Sequence, residues 1–378
     1  AGDVEGAVAA LAELLPVSER VLGPEHPDTL AVRFNLARWR GEAGDVEGAV
    51  AALAELLPVS ERVLGPEHPD TLAVRGSLAW WRGHAGDVEG AVAALAELLP
   101  VSERVRGPEH PRTLIVRNSL ATWRGHAGDV EGAVAALAEL LPVSERVRGP
   151  EHLRTLAVRY NLARWRGEAG DVEGAVAAFA ELLPVSERVL GPEHSRTVAV
   201  RSSLAWWRGE AGDVEGAVAA FAELLPVYER VQGPEHPRTL AVRSNLAWWR
   251  GEAGDVEGAV AAFAELLPVY ERVLGPEHPR TVAVRSNLAR WRGEAGDVEG
   301  AVAAFAELLP VYERVQGPEH PDTLIVRINL AWWRGEAGDV EGAVAAFAEL
   351  LPVYERVLGP EHPRTVAVRS NLAWWRRR

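Results

Sequence analysis

Residues 22–57 read LGPEHPDTLAVRFNLARWRGEAGDVEGAVAALAELL, and the order of breakers and apolar residues in this stretch decides the architecture. Gly23 followed by Pro24 closes a helix, because glycine accepts a left-handed cap and proline cannot continue the ladder. Pro27 pre-sets the first turn of another helix. Within it Val32, Leu36, Trp39 and Ala43 recur at spacings of four, three and four, an apolar helical stripe. Gly44 stops that helix. Asp45 then has a side chain able to accept the free N–H groups of a new first turn.

Upstream the same signals open the chain. Asp3 stands as a cap, and Val4, Ala7, Val8, Leu11, Leu14, Leu15 and Val21 form the stripe. Pro16 interrupts it. Proline there removes one backbone bond, so the expectation is a kinked helix rather than two.

AGDVEG returns every 42 residues, and the 378 residues hold nine units. Their bounds are 1–42, 43–84, 85–126, 127–168, 169–210, 211–252, 253–294, 295–336 and 337–378. Each unit is two antiparallel helices, and neither helix buries its apolar face alone. Stacking of neighbours makes the core, so the chain is expected to be an all-α solenoid forming a single domain.

Composition removes several chemistries. There is no cysteine, which excludes disulfides and thiolate or iron–sulfur sites. All 40 basic residues are arginine, which excludes a Schiff-base lysine and a phosphate-loop lysine. A net charge of −14 argues against nucleic acid and anionic membranes as partners. No apolar run approaches the roughly 20 residues of a membrane span. With no initiator Met and no signal-peptide pattern, the expectation is a cytoplasmic segment of a longer protein.

The quoted stretch resembles the 42-residue tetratricopeptide repeat of the kinesin-light-chain type, in the version common in high-GC (actinobacterial) proteins. The GPEHPDT connector, Asn35-Leu36-Ala37, Gly44, Ala49 and Leu53 carry the resemblance through all nine units. Arg33 and Arg40 depart from it, standing where the short unit has large aromatics. HEAT and armadillo repeats share the period range and are the less favoured alternative. The resemblance implies a right-handed superhelix with a concave groove that holds peptides. It also implies that such arrays serve as the sensor or docking arm of larger proteins, some with a nucleotide-binding switch domain.

Near-identical copies make their differences informative. The most variable place holds Phe34, Gly76, Asn118, Tyr160, Ser202, Ser244, Ser286, Ile328 and Ser370. Four residues on come Arg38, Trp80, Thr122, Arg164, Trp206, Trp248, Arg290, Trp332 and Trp374. Ala31 becomes Ile115 and Ile325, and Glu42 becomes His84, His126 and Arg378. These four places lie three, four and four apart, one stripe along the second helix and away from its core stripe. Variable side chains on a fixed scaffold are expected of a binding surface; drift at exposed positions would give the same variation.

Beside that stripe run Asn35, Asn161, Asn245, Asn287, Asn329 and Asn371, with Ser77, Ser119 and Ser203 in the other units. A carboxamide both donates and accepts, so it can hold an extended peptide backbone whatever its side chains, the role the resemblance implies; a solvated Asn is the alternative. The five variable tryptophans, with Arg38, Arg164 and Arg290 between them, suggest pockets for apolar and acidic side chains. Packing between units is the competing reading.

Other features read as structural. Leu11, Leu53, Leu95 and Leu137 give way to phenylalanine from Phe179 onward, and serine at Ser18 gives way to tyrosine from Tyr228 onward, two blocks with different packing. Arg33 and Arg40, with Glu5, Glu13 and Glu19 nearby, are expected to form ion-pair ladders between units. The connector histidines, His26 and its eight copies, are expected to cap helices, since one imidazole per unit gives no convergent metal site. His84 and His126 make a weak metal pair at best. Phosphate loops, GxSxG and HExxH are absent, so the expectation is a protein without enzymatic activity, metal or cofactor. Its partner is then a protein or peptide ligand. The alternative is a structural array that associates with itself through exposed end repeats.

Overall fold

The computed structural model describes residues 4–315, 317–357 and 359–378. Among them stand eighteen α-helices and no strand, two helices per repeat. Repeat 1 has Val4–Leu22 and Pro27–Glu42; repeat 2 has Val46–Leu64 and Pro69–His84. The first helix of every repeat continues through its proline, Pro16, Pro58 and their copies, so the missing N–H costs a bond without ending the helix. Contacts group the chain into two compact units, residues 1–165 and 166–378, each built by the same packing.

Local chemistry explains the joints. Asp45 Oδ1 accepts from the Gly48 N–H at 3.0 Å, and the same cap recurs to Asp339. Asp3, expected to act likewise, lies outside the described residues. Gly44, at φ +104°, lets the Asp45 N–H return 3.0 Å to the Arg40 carbonyl, so one residue closes a helix and opens the next. The connector histidines do cap: His26 Nδ1 accepts from the Asp28 N–H at 3.2 Å, and its eight copies repeat this. Thr71 of the connector is fully buried and donates to the Ser60 carbonyl at 3.3 Å, tying the two helices of a repeat together.

The core stripe of the first helix is Ala49, Leu53, Leu56 and Ser60. It ends one turn earlier than the sequence pattern suggests: Val21 and its copies Val63 and Val105 are exposed, because the last turn outruns its partner helices. Ala43, expected on the second helix's core stripe, is instead an exposed C-cap. From the second helix come Val74, Leu78 and Trp81. Each cluster joins the second helix of one repeat to both helices of the next, as where Leu72 and Ala79 meet Leu95, Leu98 and Trp123. The leucine-to-phenylalanine change is wholly inside this core, where Leu53, Leu137, Phe179 and Phe263 are all inaccessible.

Trp81 and its copies do more than fill volume. Each indole lies flat against a glycine one repeat earlier: a Cβ on Gly41 would stand 2.5 Å from Trp81, and one on Gly209 2.5 Å from Trp249. That glycine is helical, so its absent side chain serves close approach rather than a turn.

Ion pairs follow a different plan from the expected one. Arg75 pairs with Glu61 at 2.6 Å and Arg285 with Glu271 at 2.5 Å, so the Arg33 place bonds within its own repeat. Arg40 lies 3.7 Å from Asp45, at the joint. The ladder between repeats uses other residues: Arg62 to Glu25 at 2.7 Å, Arg104 to Glu67 at 2.6 Å and Arg272 to Glu235 at 2.7 Å. Bonding to these arginines holds the carboxyls of Glu67 and Glu235 below the usual range. The side chain of Glu5 lies outside the described residues.

Candidate binding face

The variable stripe is built by the second helices, and much of its most variable place is spent on the neighbouring repeat. Ser202 Oγ lies 3.3 Å from the Tyr228 hydroxyl, Ser244 3.2 Å from Tyr270, and Ser286 3.3 Å from Tyr312. Serine in one repeat thus matches tyrosine in the next. Phe34 and Ile328 pack against the core of the following repeat, and Gly76 has Leu98 beside it. Part of the variation in this stripe is therefore complementary packing, which a reading of single positions cannot see.

One pair is mismatched. Ile328 stands where serine should be, and the buried Tyr354 hydroxyl has no hydrogen-bond partner. Burial pushes the Tyr354 phenol well above its ordinary value. Ile328→Ser is expected to supply the missing bond and raise stability by about 1 kcal/mol. Urea unfolding checks it; an unchanged or lower midpoint would show that the lost isoleucine packing outweighs the bond.

The tryptophans are half-buried, neither fully core nor free. Four of them meet the buried tryptophan of the next repeat edge to face: Trp80 and Trp123 at 5.5 Å, Trp206 and Trp249 at 5.2 Å, Trp248 and Trp291 at 5.6 Å and Trp332 and Trp375 at 5.5 Å. Trp374 stacks on Trp332 at 5.1 Å. His84 lies 5.0 Å from Trp80 and 5.1 Å from Trp123, and His126 lies 5.0 Å from Trp165. Among the described residues no three His, Asp or Glu side chains are placed to hold a metal.

The arginines are committed to differing degrees. Arg38 lies over Trp39 at 5.9 Å and Arg164 over Trp165 at 4.9 Å. Arg290 covers Trp248 at 4.3 Å and bonds Glu252 at 2.9 Å, so its charge already has a carboxylate.

Asn161 donates to Asn118 Oδ1 and to Thr122 Oγ1, both at 3.2 Å, while the buried Thr122 hydroxyl donates to the Asn118 carbonyl at 2.9 Å. That carboxamide bridges repeats. Asn35, Asn245, Asn287, Asn329 and Asn371 are half-buried, and among the described residues their side chains find no hydrogen-bond partner.

Models of the tetratricopeptide repeat match residues 1–61, 71–112, 117–187, 210–272, 252–314 and 294–356, most of the chain. The chain is a tetratricopeptide-repeat protein. No curated protein matches it. Among solved structures, these tetratricopeptide repeats are similar to a Podosopora anserina protein described as a kinesin light chain with nearly identical TPR-like repeats. That match has 26% identity and a TM-score of 0.44, over 55% of this chain and 98% of the other. A Rap protein complexed with competence and sporulation factor matches at 11% identity and TM-score 0.57, over 94% and 99%. A signal-transduction ATPase with a tetratricopeptide repeat sensor, from Pyrococcus horikoshii, matches at 13% and 0.52, over 97% and 55%. The last two likenesses are of fold. No helix among the described residues is long and apolar enough to cross a membrane.

Proposed function

We propose that this tetratricopeptide-repeat array is a non-catalytic, cytoplasmic scaffold that holds an extended peptide or partner segment along the variable face of its second helices. The observation that carries the reading is the row of Asn245, Asn287, Asn329 and Asn371, whose carboxamides keep their hydrogen-bonding capacity beside half-exposed tryptophans. Donor–acceptor groups repeated at intervals of one repeat suit an extended main chain, and aromatic rings beside them suit anchoring side chains. A Rap protein bound to competence and sporulation factor and an ATPase with a repeat sensor show uses to which arrays of this fold are put.

Peptide-library selection tests it. The parent chain is expected to enrich a peptide family, and a variant with Asn245, Asn287 and Asn329 changed to Ala is expected to lose at least about tenfold in affinity while keeping its circular-dichroism spectrum. Equal selection by both would remove the asparagines from the site; no selection by the parent would remove the reading.

A further inference from the structure

We infer that Trp206 and Glu210 form a seat for one cationic side chain, the arginine or lysine of a basic peptide. The inference rests on the peptide-holding reading and names the chemistry of its partner.

The chain shows how such a seat is filled. In repeat 6 the same two places carry Trp248 and Glu252, one helical turn apart. Arg290, from the following repeat, lies 4.3 Å over the Trp248 ring and bonds Glu252 at 2.9 Å. At the last repeat Arg378 covers Trp374 at 3.9 Å and reaches Glu336 at 3.3 Å. An aromatic face with a carboxylate beside it attracts a cation through both ring quadrupole and charge.

Repeat 5 has the ring and the carboxylate but no cation. The residue that would supply it, one repeat on, is Trp248 rather than arginine. Trp206 and Trp249 meet edge to face at 5.2 Å, the arrangement Trp248 has with Trp291 while Arg290 lies over it, and among the described residues the Trp206 ring carries no guanidinium. Glu210 is exposed at its rim and, among the described residues, forms no ion pair. The nearby arginines are engaged elsewhere, Arg290 with Glu252 and Arg364 with Glu168 at 3.7 Å. Desolvation by the surrounding protein, then the charges of Glu168 and Glu252, raise the Glu210 carboxyl above its ordinary value, with Arg290 and Arg364 opposing. An incoming cation relieves that repulsion, and an incoming carboxylate would add to it. The chain's net charge of −14 also favours a basic segment over an acidic one.

The test uses the chain labelled with 5-fluorotryptophan, its Trp206 fluorine resonance assigned by Trp206→Phe. N-acetyl-arginine amide is titrated in, with N-acetyl-citrulline amide as the neutral isostere. The expected result is a saturable shift of the Trp206 signal with arginine alone, weakened at least about tenfold by Glu210→Gln. Trp248→Arg, which installs in repeat 6 a residue this place already accepts in other repeats, is expected to occupy the seat internally and abolish the shift. No response, an equal response to citrulline, or a response unchanged in Glu210→Gln would overturn the inference. Peptide selection without an arginine response removes the seat and leaves the scaffold reading; an arginine response without peptide selection does the reverse.

Discussion

Replacing Trp249 by alanine is expected to destabilise the second unit by about 4 kcal/mol, the middle of the range for loss of a buried aromatic. The indole is 3% exposed and lies at the meeting of two repeats, against Leu246, Phe221 and Tyr228. The informative experiment is a double-mutant cycle with Gly209. Alone, Gly209→Ala puts a Cβ 2.5 Å from the Trp249 ring, and such overpacking costs about 1–3 kcal/mol. In the Trp249→Ala background the added methyl meets empty space, and alanine is the better helix former. The cycle should therefore show the double variant more stable than the sum of the singles by roughly 1–3 kcal/mol. Additive losses in guanidinium unfolding would mean that glycine and tryptophan are not partners, and the account of repeat stacking would fail with them.

Acidification from pH 8 to pH 5 is expected to cost the second unit up to about 2 kcal/mol through two of its connectors, at about 1 kcal/mol for each cap lost at His194 and His236. Each connector Nδ1 accepts a backbone N–H, which only an unprotonated nitrogen can do. Desolvation and then the Arg196 cation hold the His194 imidazole below its ordinary value; desolvation, Arg238 and Arg280 do the same for His236. A folded-state value below the unfolded one means that the stabilisation is fully present above about pH 6.5, the unfolded value, and disappears as pH falls through the folded one. Thermal unfolding at pH 8, 7, 6 and 5 measures the drop. A His194→Asp, His236→Asp variant, capped by carboxylates that stay ionised at pH 5, should show a smaller one. An identical drop in both proteins would assign the acid sensitivity elsewhere.

Much of the architecture lies in near-neighbour chemistry. Gly44 and Asp45 close and open helices within two residues, the connector prolines set the next first turn, and the apolar stripes follow the helical period. Such signals act over a turn or two of chain, so residues 22–57 are enough to read them, and the 42-residue period then requires that units stack. The connector histidines were legible as caps for the same reason.

The site was legible in outline only. A variable stripe with tryptophans and asparagines can be read from nine aligned copies, but not which members are already engaged. Ser202 is matched to Tyr228 and Asn161 to Asn118 across repeats, and Arg290 is matched to Glu252. The glycine at Gly41 gave no signal of its need, since the tryptophan that requires it belongs to the next repeat. The ladder of Arg62 and Glu25 was missed likewise, because its partners stand 37 residues apart and meet only through the offset of one repeat on another.

Helix bounds, caps, period and the obligation to stack were thus determined by the sequence itself, because backbone preferences and apolar spacing act locally. Tertiary structure alone decided which face each repeat presses on the next. With that it decided which rings, carboxamides and charges are consumed in stacking and which, such as Glu210 and Asn245, are left without a partner among the described residues.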